Sequence, residues 1–129
     1  MSRVLVFGTF DLLHPGHRFV LSEAAKRGEL HVVVARDSTV ARIKNHAAHH
    51  NEAERAAMIQ EAFPEARVRL GSDAGDFLAP VREVQPDLIV LGYDQRLPPG
   101  VSEADFPCPV ERLPAFEPEK YKSSLLKPR

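Results

Sequence analysis

Cysteine is nearly absent: Cys108 is the single one in 129 residues, so no intramolecular disulfide framework can form and a reducing cytoplasm suits the chain. An excess of charge of either sign is also lacking, with 17 Lys plus Arg against 18 Asp plus Glu and a formal net charge of −1. A protein that binds nucleic acid without regard to sequence needs clustered basic charge, so no nucleic-acid partner is expected. Long apolar runs are missing too, and none approaches the ~20 residues of a spanning helix, so no membrane partner is expected. The segment Met1 to Gly8 has neither the long apolar region nor the small-residue cleavage site of a signal peptide. What remains is ordinary globular composition, 43% apolar and 27% charged. At this length it reads as one cytoplasmic domain, residues 1–129, with a real core and no room for a second.

Two kinds of segment alternate over the first two-thirds. Val4-Leu5-Val6-Phe7, closed by Gly8, is a short apolar run of the sort buried on both faces of a sheet. Phe19, Val20 and Ala24 then share a helical face, with Gly28 placed as a stop. Val32 to Ala35 repeats the strand signature, and Asp37-Ser38-Thr39 can cap a short helix. Asn51-Glu52-Ala53-Glu54 reads as a capping box, and Pro64 falls where its helix should end. Val68 to Leu70 is a weaker strand, Asp76 to Val84 a short helix, and Leu88 to Leu91 the clearest strand. This alternation predicts an α/β fold, a Rossmann-like, mostly parallel five-stranded sheet with right-handed crossovers and helices on both faces. Seven of the eleven prolines lie between Pro98 and Pro128, so residues 93–129 read as a Pro-rich closure of the same domain. Val110 to Leu113 can add an edge strand there, and Ser123 can cap a last helical turn.

The chemistry gathers in Gly8-Thr9-Phe10-Asp11-Leu12-Leu13-His14-Pro15-Gly16-His17. A buried strand delivers the chain to Gly8, where a missing side chain lets a ligand near the backbone. Pro15 suits a helix's first turn, and His14 and His17, three apart, both fit over that helix N-terminus. Free amides and the positive dipole end make such a place an anion site, and two imidazoles add donors. The bland alternative is a turn with two solvated histidines; the coincidence of strand, glycines and helix start argues against it.

The decapeptide resembles the signature of the cytidylyltransferase-like nucleotidyltransferases, which carry an H-x-G-H motif. Val34-Ala35-Arg36-Asp37 is similar to that family's second strand and its exit, Leu88 to Gln95 to its fourth strand and nucleotide-binding turn, and Tyr121-Lys122-Ser123-Ser124 to its phosphate-binding segment. Within the family, the missing tryptophan and the run Gly92-Tyr93-Asp94-Gln95 are more similar to the archaeal-type FAD synthases, which adenylylate FMN, than to the neighbouring glycerol-3-phosphate cytidylyltransferases. The usual C-terminal helix looks shortened, since Leu125-Leu126 follow the two serines and the sequence stops at Arg129.

The resemblance implies in-line attack by an acceptor phosphate on the α-phosphorus of a nucleoside triphosphate, with Mg²⁺ and loss of pyrophosphate. His14 and His17 would stabilise charge, with Lys44 as a further catalytic cation. Gly8, Thr9, Phe10, Pro15 and Gly16 would shape the triphosphate loop. Gly92, Asp94 and Tyr121 would meet the nucleoside, and Lys122, Ser123 and Ser124 the outer phosphates. Asp11, Arg36 and Arg55 are possible acceptor contacts, although Lys44 and Arg55 equally fit solvated helix-end cations. Asp37 reads as a cap rather than a ligand. A homodimer is implied by the family alone. A nucleotide-binding module without catalysis is the reading of another class. His46, His49 and His50 form a second cluster; the Asn51 cap places them in a loop, and no cysteine or third well-placed ligand completes a metal site. Cys108, between Pro107 and Pro109, reads as a passive thiol.

Overall fold

In the computed structural model the described residues are 2–44, 50–72, 76–93, 95–98 and 100–114; of 42–44 the backbone alone is described. Five strands form one sheet: β1 (Arg3–Gly8), β2 (Glu29–Val34), β3 (Arg67–Leu70), β4 (Leu88–Leu91) and β5 (Val110–Arg112). Their spatial order is β3-β2-β1-β4-β5 and every pairing is parallel. Among the described residues four α-helices join them: α1 (Pro15–Ala25), α2 (Asp37–Lys44), α3 (Glu52–Ala62) and α4 (Ala79–Val84).

Side-chain alternation along the strands builds two cores. Val4, Val6, Val32 and Val34 face Leu21 and Ala24 of α1 and Ile59 of α3. Leu5, Phe7 and Val33 face Val81 and Val84 of α4 on the other side. Burial on both faces is why these strands read as unbroken Val/Leu runs. The crossovers change face after β3, so the strand order reverses between β1 and β4. In open α/β sheets such a reversal leaves a crevice beyond the carboxyl ends of the strands, the usual seat of a ligand.

Several boundaries differ from the pattern. The sequence marks β2 from Val32, but it starts at Glu29, because Leu30 and His31 pair with Val4 and Leu5. Asp76 opens no helix; its carboxylate takes the Leu78 amide in a turn, and α4 begins at Ala79. Gly28 is not the left-handed stop of α1. The helix ends on Lys26 in right-handed conformation, and glycine is needed at 28 because a Cβ would lie 2.5 Å from the Ser2 carbonyl oxygen. The Asn51 box is present, with Asn51 and Glu54 each accepting the other's amide.

Candidate active site

The loop after β1 is anchored by its own side chains. Phe10 and Leu12 both adopt left-handed backbone, φ 56° and 57°, a conformation that costs an L-residue roughly 1–2 kcal/mol. Phe10 offsets this by turning its ring into the core, while Leu12 stays exposed. The Phe10 ring lies 3.2 Å from where a Gly8 Cβ would be, so Gly8 is required by the anchor beneath the loop.

The two histidines cap α1 reciprocally. His14 is the N-cap, and its Nδ1 accepts the amides of Gly16 at 3.1 Å and His17 at 3.4 Å. His17 Nδ1 accepts the His14 amide at 3.3 Å. Their rings stack, 3.6 Å between centroids and 20° between planes, and the Phe10 ring meets His17 edge-on at 5.4 Å. An Nδ1 that accepts a hydrogen bond carries no proton, so each neutral ring carries its proton on Nε2. Sequence reasoning leaves the first-turn amides free for an anion; here they are occupied, and Pro15 has none. The amide polarity of the helix therefore passes through the imidazoles and emerges at Nε2–H. Gly16 is part of the device, since a Cβ there would lie 3.0 Å from His14 Cε1.

Across the sheet reversal, Gln95 ties the β4 exit to β1. Its Nε2 donates to the Phe7 carbonyl at 2.6 Å and its Oε1 accepts the Gly92 amide at 3.1 Å. Arg112 of β5 braces the same turn, one guanidinium nitrogen donating to the carbonyls of Gly92 and Gln95 at 2.9 and 2.8 Å. Neither role has a local signal, because the Gln95–Phe7 partners are 88 residues apart.

The acceptor candidates separate. Arg55 is fully buried, contrary to both the acceptor and the solvated-cation expectations. It donates to the carbonyls of His50, Thr9 and Ala35 and to the Asp37 carboxylate, at 2.7–3.0 Å, and so ties four segments beneath the site. Asp37 is therefore an ion-pair partner, and the Arg55 guanidinium holds its carboxyl below the usual carboxylate range. Asp11 accepts the His50 amide at 3.2 Å, which braces the histidine loop against the loop before α3. Arg36 bonds the Gly71 carbonyl at 2.8 Å through Nε and Glu52 through Nη1. It lies in the wall of a cavity of about 470 Å³ at the carboxyl edge of the sheet.

That cavity is walled mainly by Phe7, Val33, Val40, Phe77, Pro80 and Leu97, and Gly8 and Thr9 join its lining where the histidine loop begins. Its volume falls in the range of small-molecule sites, about 300–1,000 Å³. Phe77 sets its edge on Phe7 at 4.7 Å and 85°. Phe77 and Gly71 carry no local signal in the sequence, because their wall exists only once β3 and α4 are in place.

A family model described as Cytidylyltransferase-like matches residues 5–126, nearly the whole chain. The chain belongs to that family. It is thereby an enzyme of the adenylyl- or cytidylyltransferase type, with the histidine cap as its H-x-G-H motif. An FAD synthase of Methanobrevibacter smithii is 39% identical over 133 residues, covering 96% of this chain and 86% of its own. An FAD synthase of Methanolacinia petrolearia is 38% identical over 130 residues, with the same coverage. Among solved structures, a lipopolysaccharide core biosynthesis protein from Thermoplasma volcanium superposes with a TM-score of 0.77 at 39% identity, covering 90% of this chain and 98% of that one.

Other positions singled out in the sequence lie outside the described residues: Asp94, Tyr121, Lys122, Ser123 and Ser124, the Lys44 side chain, and His46 and His49 of the second histidine cluster. Among the described residues no three His, Cys, Asp or Glu side chains converge as a cation site. Burial, and then the nearby Asp87 charge, push the Cys108 thiol up, which leaves it a poor nucleophile. No helix among the described residues is long and apolar enough to cross a membrane.

Proposed function

We propose that this cytidylyltransferase-like enzyme is an FMN adenylyltransferase, making FAD and pyrophosphate from FMN and ATP. The observation that carries the reading is the largely apolar cavity whose lining includes Gly8 and Thr9, where the histidine loop begins. Glycerol 3-phosphate has no apolar surface with which to fill such walls, whereas a flat aromatic acceptor does. Two FAD synthases at 38–39% identity over most of both chains support the same acceptor.

In this reading a phosphate oxygen of FMN attacks the ATP α-phosphorus. A P–O bond to FMN forms as the bond to the bridging oxygen breaks, and that electron pair leaves with pyrophosphate. The protein supplies no nucleophile; it positions the reactants and stabilises charge. His14 and His17 direct Nε2–H donors at the α-phosphate and the leaving group. The triphosphate lies along the loop of Gly8, Thr9, Phe10, Pro15 and Gly16. Gly92, Asp94 and Tyr121 meet the adenosine, while Lys122, Ser123 and Ser124 hold the outer phosphates with Lys44 as a further cation. Arg36 faces the acceptor from the cavity wall. Mg²⁺ enters on the triphosphate, a role that needs few protein ligands because the ion keeps its waters. The partners are small molecules rather than nucleic acid, in the cytoplasm, with a homodimer inferred from the family.

The test crosses ATP and CTP with FMN and glycerol 3-phosphate, with Mg²⁺, and follows pyrophosphate. Release from ATP with FMN alone is expected. Release from CTP with glycerol 3-phosphate alone would transfer the enzyme to that branch. Silence in all four would remove the FMN reading, and ATP titration would then ask whether a binding module is left.

A further inference from the structure

We propose that Gly71 sets acceptor specificity: its bare backbone is the wall against which the flat ring of the acceptor lies. The inference rests on the reading of FMN as acceptor. The described glycines differ in what requires them. Gly28 is demanded by the Ser2 carbonyl, Gly16 by the His14 ring and Gly8 by the Phe10 ring, each closer than 3.4 Å to the absent Cβ. Gly100 is demanded by its φ of +85°. Gly71 and Gly92 are not demanded in this way: a Cβ at 92 would lie 3.6 Å from Val20 Cγ2, and one at 71 would meet Val33 Cγ1 and Val34 O at 3.7 Å, ordinary contact in both cases, with no positive φ. Of the two, only Gly71 lines the cavity. A glycine in such a place gives up stability through the extra freedom of the unfolded chain, with no return within the fold.

The return lies in the cavity. Gly71 is in its lining, just past the end of β3. Its amide donates to the Val34 carbonyl at 2.8 Å, and its own carbonyl accepts from Arg36 Nε at 2.8 Å. Both polar groups are thus engaged within the protein, and what Gly71 presents to the cavity is a flat, apolar peptide edge. Phe7, Phe77 and Leu97 complete apolar walls around the same space. A planar ring can lie against such a surface; a side chain at 71 would project into the ring's place.

The test is a series, Gly71→Ala and Gly71→Val, with two readouts. Steady-state pyrophosphate release gives KM for FMN and for ATP. Quenching of riboflavin fluorescence, a probe with the ring and no phosphate, gives ring binding without turnover. The expected result is a KM for FMN raised about tenfold by Ala and further by Val, the scale of a methylene or two in an apolar pocket. KM for ATP stays within about twofold on the same scale, and Tm does not fall for Gly71→Ala. An unchanged KM for FMN in Gly71→Val would overturn the proposal, and so would equal loss of ATP and FMN binding. If the wild type does not turn over ATP with FMN, the function reading fails. Riboflavin quenching then decides separately: quenching by wild type that Gly71→Val abolishes keeps the ring wall, and no quenching by wild type removes it.

Discussion

His17 contributes in two ways, as a donor at Nε2 and, through Nδ1, as the acceptor that fixes the His14 amide. His17→Ala removes both, together with an edge contact to Phe10, and leaves the sheet and its packed helices in place. Pyrophosphate release should fall about 10²–10³-fold, the usual effect of losing one preorganised donor, with a folded CD spectrum; near-normal turnover would take the histidines out of the mechanism. Gly16→Ala is a sharper test because activity should move far more than stability. Alanine is the better helix former by roughly 1 kcal/mol in a helix interior, which about offsets the ~1 kcal/mol of a disturbed N-cap, so Tm should change little. The new methyl group sits 3.0 Å from His14 Cε1 and must displace that ring, and kcat should drop by up to about 10²-fold, as for an ångström-scale misplacement. At this scale the motif was legible, since His14, Pro15, Gly16 and His17 announce a capped helix start. The engagement of the amides by imidazole nitrogen was not, because Asn, Asp, Ser and Thr are the usual caps.

Elements meet beneath the site through one guanidinium. Arg55 belongs to α3, yet its donors go to the exits of β1 and β2, the loop before α3 and the first residue of α2. Lysine cannot replace such a fork, because an ammonium is a point donor on a flexible stem. Arg55→Ala should cost at least about 3 kcal/mol, as buried carbonyls lose their donor and a cavity opens. Arg55→Lys should recover only part of the Tm, and kcat should follow because Thr9 leads into the histidine loop; a wild-type melting curve for Arg55→Lys would refute this bracing role. Strands β1 and β4 and the α3 cap were readable from apolar runs and from the Asn51 box. Arg55 was not, since an arginine on a helix is usually solvated, and the carbonyls that enclose it come from segments up to 46 residues away.

Over the whole molecule, strand–helix alternation foretold a parallel sheet and Val110 to Leu113 an edge strand, but not that this strand would pair in parallel with β4 after a Pro-rich stretch whose described residues hold a three-residue 3₁₀ turn at Glu103–Asp105. Part of what secures that edge is electrostatic: Arg27, just past α1, makes a bidentate pair with Glu111 of β5 at 2.7 and 2.8 Å. Arg27 holds the Glu111 carboxyl below its ordinary range, and Glu29, beside His31, and Asp37, beside Arg55, are lowered likewise. A carboxyl whose pKa is depressed in the fold stabilises above its unfolded value and loses that contribution as pH falls through the folded one. The near-zero net charge adds little repulsion at neutral pH, so Tm should be flat from about pH 7 to 5 and then fall below about pH 4, where ordinary carboxyls protonate. Glu111→Gln removes one of these linkages without removing the packing of β5. It should lower Tm modestly at pH 7, since the pair is partly exposed, and should flatten the acid slope. Calorimetric scans from pH 7 to 3 on both proteins decide the point: parallel acid limbs would mean that Glu111 titrates alike folded and unfolded, and that the β5 edge is held by backbone pairing and apolar contact alone.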